Sequence, residues 1–139
     1  MIQRVQSLWL LLASVAAFAT LKLSFYSGNK LDANSAKVFS PLIATTSIIL
    51  MVLTVIVAAI SFVLIFLYKD RKRQLLITVA ATVISLINIF LYFNETKKYA
   101  EGSLDLTSLI SFVIPVFLIF AIRGIWKDEK LVKSVDRLR

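Results

Sequence analysis

The sequence predicts an all-α membrane protein of four transmembrane helices, spans two and three forming an antiparallel hairpin and an amphipathic cytoplasmic helix closing the chain. Two observations carry this. Hydrophobic residues make up 59% of the 139 residues, against about 45–50% in a typical soluble domain, and the mean hydropathy is +0.86. These residues also fall into long runs separated by short polar stretches, and a run of about 18 or more apolar residues is long enough to cross a bilayer.

The first run, Leu8 to about Leu23, follows the basic start MIQR. That layout resembles a signal peptide, with Ala17-Phe18-Ala19 as a weak cleavage-like site, and an uncleaved anchor is the expectation. Lys22 at its outer end can extend its ammonium into the headgroups. The polar stretch 24–40 is too short for a folded domain, and Pro41 suits the first turn of a helix, where its missing N–H is not needed. Span two runs from about Leu42 to Tyr68. At ~1.5 Å per residue it exceeds the hydrocarbon core of about 30 Å, so tilt or protrusion is expected.

The charged stretch Lys69 to Gln74 ends span two, and span three follows at residues 75–93. So short a connector forces the two into an antiparallel hairpin. After the polar segment 94–108, span four covers 109–126 and contains Pro115, whose ring should kink the helix and free the Ser111 carbonyl. Residues 1–126 thus form the transmembrane domain. The tail 127–139 continues the fourth helix, with Leu131, Val132, Val135 and Leu138 on one arc and mostly charged residues around the rest.

Four spans place both termini on one side, together with the 69–74 connector. That side holds Arg4, Lys69, Arg71, Lys72, Arg73, Arg123, Lys127, Lys130, Lys133, Arg137 and Arg139, eleven of the sixteen basic residues. The positive-inside rule therefore puts both termini in the cytoplasm, and Trp9, Tyr26, Tyr68, Tyr92 and Trp126 fit the interfacial aromatic belts. This topology accounts for the net charge of +8 without nucleic acid, for which no recognition fold is present. Membrane lipids are expected partners, with headgroup contact at Lys69, Arg71, Lys72, Arg73 and Arg123.

Cysteine and histidine are both absent, which removes thiolate nucleophiles, imidazole metal ligands and the usual general base near neutral pH. Every Asp, Glu, Lys and Arg sits in a loop, a tail or the terminal turn of a span, so the mid-membrane charges of ion-coupled transporters are missing. The reading is of a protein that is not an enzyme, with no catalytic, cofactor-binding or metal-binding residues and no cofactor. Within the spans the polar groups are hydroxyls and Asn88. Ser47, Thr54, Ala58 and Ser61 share one face of span two; Thr78, Ala81, Thr82, Ser85 and Asn88 share one face of span three. Counting from the connector sets Ser61 near Thr82, Ala58 near Ser85 and Thr54 near Asn88, with hydroxyls bonding across. Asn88 reads as an amide bonded to a neighbouring helix, with a substrate or ion ligand as the other reading.

The tail has two readings: a basic amphipathic helix lying on lipid, or a docking element for a membrane-protein partner through Leu131, Val132, Val135 and Leu138. The opening MIQRVQSLWLLLA and the closing IRGIWKDEKLVKSVDRLR resemble an uncharacterised family of small four-span membrane proteins of the Bacteroidota, known only as a domain of unknown function. The resemblance implies a bacterial inner membrane and supplies no site residues. The expected function is a structural or accessory subunit of a cytoplasmic-membrane complex, the alternative being a small oligomeric transporter or channel.

Overall fold

A computed structural model describes residues 2–31 and 36–136. In chain order the elements are α1 (Ile2–Thr20), β1 (Ser24–Leu31), β2 (Lys37–Ile43), α2 (Ile48–Phe66), α3 (Arg71–Thr96), β3 (Glu101–Leu104) and α4 (Ser108–Asp136). Three helices are long and apolar enough to cross a membrane: Ile48–Phe66, Arg71–Thr96 and Ser108–Val135; α1 carries a shorter apolar stretch, Val5–Thr20. The four pack as a bundle in which α1 lies against α2 and α4, and α3 against the same two.

The bundle is apolar on the outside. Ile48, Phe66, Leu76 and Phe90 are each 66–82% exposed, while Thr54, Ser61, Thr78 and Ser85 are buried. Water would penalise such a surface, since soluble proteins rarely expose large contiguous apolar patches, whereas hydrocarbon solvates it. The interior is built from small residues. Ala13 and Ala17 on α1, Ala58 on α2, Ala81 on α3 and Ala121 on α4 belong to one buried cluster with Leu10, Leu64 and Leu118, an arrangement that lets helix backbones approach closely.

The all-α expectation is corrected by a three-stranded antiparallel sheet in the order β2-β1-β3. It joins the two connections on one end of the bundle: β1 and β2 lie between α1 and α2, and β3 lies between α3 and α4. The backbone groups of these segments sit where no helix continues, and pairing them with each other satisfies donors and acceptors at the bundle end. Pro41 is likewise corrected. It belongs to β2, opposite Ser27, and α2 begins at Ile48. A strand at the sheet edge tolerates proline because its outward side needs no N–H. Span two is therefore shorter than its apolar run. Nineteen residues extend about 28 Å, a match to the hydrocarbon thickness that requires no protrusion.

Phe25 fixes the sheet to the helices. The register of β1 against β2 slips between Ser24 and Tyr26, and such a bulge re-aims the extra side chain. Phe25 is 2% exposed and joins Leu42, Ala44, Leu50, Tyr92 and Tyr99 in a second core, stacked on Tyr92 at a centroid distance of 4.5 Å. The β1–β3 edge depends on two facing glycines, Gly28 and Gly102. A Cβ on Gly102 would stand 2.6 Å from the Ser27 carbonyl oxygen, and one on Gly28 would stand 2.3 Å from that of Glu101, so only glycine permits this approach. Asp105 closes the junction. Its carboxylate accepts hydrogen bonds from the Ser24 and Ser27 hydroxyls, and the Thr107 hydroxyl donates to the Ser24 carbonyl.

Candidate functional site

The other end of the bundle gathers the basic residues. Here α2 turns into α3, and the part of α4 beyond Trp126 runs alongside that turn. The Arg71 guanidinium donates to the Asp128 backbone carbonyl at 3.0 Å, and the Gln74 amide donates to the Leu64 carbonyl at 2.8 Å, capping the end of α2. Between the turn and the α4 extension lies a cleft of about 580 Å³, lined by Lys69, Arg71, Lys72, Arg73 and Lys133, with Asp70, Glu129 and Val132. The Lys133 ammonium, bonded to Glu129 at 2.8 Å, holds that carboxyl below the usual carboxylate range, and the charge of Lys72 adds to the effect.

Of the residues read as headgroup contacts, Lys69, Lys72 and Arg73 are exposed on this turn. Arg71 is half-buried with its guanidinium engaged by α4, and Arg123 lines a different groove, between α1 and α4. Among the residues read as a docking stripe, Leu131 is 51% exposed, Val132 45% and Val135 65%, while Leu138 lies outside the described residues. The helix that carries them is continuous from Ser108 to Asp136 through Pro115.

In the bundle interior, Asn88 on α3 donates from Nδ2 to the Thr54 hydroxyl on α2 at 2.9 Å. Thr54 in turn donates to the Leu50 carbonyl. That chain fixes the Asn88 amide orientation, since Thr54 has already committed its proton. Ser61, Thr82 and Ser85 are also buried, but their hydroxyls turn back on their own helices, to Val57, Thr78 and Thr82 respectively. The i−3 or i−4 carbonyl is always within reach of a helical Ser or Thr and needs no alignment with a neighbour, so cross-helix bonding falls to longer side chains and to Ser14. Ser14 on α1 donates to the Ala58 carbonyl at 3.1 Å, which places Ala58 at an α1–α2 contact. Thr54, Ser85, Asn88, Tyr92 and Ser111 surround a cavity of about 10 Å³, about the space of one water.

Gln6, Ser14 and Gln74 escaped the reading of the sequence. Each is buried, and the trace each leaves in the sequence is a polar side chain near or inside an apolar run. Among the described residues no group of three or more acidic side chains is placed to hold a metal ion.

No curated protein and no solved structure matches the chain. The family described as a domain of unknown function, DUF4293, matches residues 2–138, and the chain belongs to that family.

Proposed function

We propose that this chain is a four-span protein of the bacterial cytoplasmic membrane, with both termini in the cytoplasm, that serves as an accessory subunit docking a partner through the α4 extension. The observation that carries this reading is the state of that extension. Its base is tied to the α2–α3 turn through Arg71 and Asp128, with Asp128 only 5% exposed, yet the stripe of Leu131, Val132 and Val135 that follows is uncovered. A held helix with an open apolar stripe flanked by charges of both signs suits a helix-in-groove contact with another protein. Pure attraction to anionic lipid is disfavoured by Asp128, Glu129 and Asp136 among the basic residues.

Photo-crosslinking in native membranes tests the docking. A benzophenone side chain at Val132 should give one adduct of discrete mass, while one at Ile119, on the apolar belt, should give lipid adducts only. Leu131→Glu with Val135→Glu should abolish the protein adduct without affecting insertion, because burying each apolar side chain contributes about 1.5–3 kcal/mol. Lipid adducts alone at Val132, or solute flux through the purified protein in liposomes, would contradict the subunit reading.

A further inference from the structure

We infer that the groove between α1 and α4 binds one phospholipid with an anionic headgroup. The key residue is Gln6. It is 6% exposed, and its Nε2 is buried without a hydrogen-bond partner. Leaving a buried amide donor unpaired forfeits its hydrogen bond to water with nothing in exchange, so its retention in this groove calls for an acceptor from outside the chain. Gly124 is what lets Gln6 lie there, since a Cβ at that position would stand 2.7 Å from Gln6 Cγ.

The surroundings specify the acceptor. The groove, of about 360 Å³, has Arg123 and Lys127 along one wall and, among the described residues, no acidic side chain in its lining, unlike the cleft at the α2–α3 turn, where Asp70 and Glu129 offset part of the charge. Arg123 and Lys127 are four residues apart and so share a face of α4. Next to them Trp9 packs on Phe120 at a centroid distance of 5.0 Å, an apolar surface continuing from the polar end toward the middle of the bundle. Two cations and one neutral donor above an aromatic wall match a phosphodiester above its acyl chains. Phosphate oxygens would accept from Gln6 Nε2 and the two cationic groups, and a chain would run along Trp9 and Phe120. The inference requires these helices to lie in a bilayer but is independent of any protein partner.

Native mass spectrometry of the full chain with phosphatidylglycerol tests it. One lipid should remain bound. Gln6→Leu should lower the bound fraction roughly tenfold or more, as loss of a hydrogen bond to a charged group does. Arg123→Gln with Lys127→Gln should do the same, whereas Lys72→Gln with Arg73→Gln removes equal charge at the other cleft and should leave binding unchanged. Should Gln6→Leu not fold, the charge pair carries the test, because both side chains are exposed. Equal losses in the two double variants would show a response to net charge and overturn the proposal. So would equal retention of phosphatidylcholine, or displacement of the lipid by millimolar inorganic phosphate.

Discussion

Ala58→Leu is expected to lower the apparent melting temperature in detergent by roughly 5–10 °C, the response to about 2–3 kcal/mol in a chain of this size. Ala58 is fully buried, and it packs in one cluster with alanines of α1, α3 and α4. Its carbonyl receives the Ser14 hydroxyl, so three added carbons would force α1 away and break that hydrogen bond as well. A bundle held by close backbone approach has no slack there. Ile56→Leu, on the outward face, should shift the midpoint by less than about 2 °C. Equal effects from the two substitutions would mean that α2 is turned differently in the bundle.

Asp105→Ala should release the sheet from the helices. The carboxylate is the shared acceptor for Ser24 and Ser27, and each hydrogen bond to a charged group contributes about 1.5–3 kcal/mol when buried, less at a half-buried site such as this. A combined loss of about 2–4 kcal/mol would raise amide exchange along the β1–β3 pairing, at Ser27 and Ser103, by roughly thirtyfold or more. Exchange in α2 and α3 should be unchanged. Asp105→Asn keeps the acceptor and loses the charge, so its effect should fall between. Protection that persists at β1 in the alanine variant would show that the backbone ladder alone holds the sheet.

The helices were legible because hydrocarbon selects for a property that composition reveals directly. An uninterrupted apolar run such as ILMVLTVIVAAISFVLIFLY permits little else, and the basic stretch at 69–74 marks where it must stop. The sheet was not legible. The strand β1, SFYSGNKL, lacks apolar alternation, and β3 is four residues, EGSL, all exposed. Their pairing joins Gly28 to Gly102 across the whole α2–α3 hairpin, a relation that no local window contains. The start of α2 was misplaced for a related reason: Leu42 and Ala44 are apolar because they fill the core beneath the sheet, with Phe25 and Tyr92, not because they face lipid. At the candidate sites the basic turn could be read from charge alone, but the tie between Arg71 and Asp128 depends on how α4 folds back beside α3. Gln6 gave only the faint signal of one amide near the start of an apolar run.

The membrane topology is the claim on which the rest depends, and single-cysteine accessibility in sealed spheroplasts measures it most directly. The chain has no cysteine of its own, so each introduced thiol reports alone. Phe39, 67% exposed, and Ser103, also exposed, lie on the sheet; Asp70 and Val135 lie at the basic end, and both are exposed. Cysteines at Phe39 and Ser103 should react with a membrane-impermeant maleimide in intact spheroplasts, and those at Asp70 and Val135 only after the membrane is opened. Labelling of Asp70 and Val135 with protection of the other two would invert the orientation, and labelling that separates Phe39 from Ser103 would contradict four spans altogether.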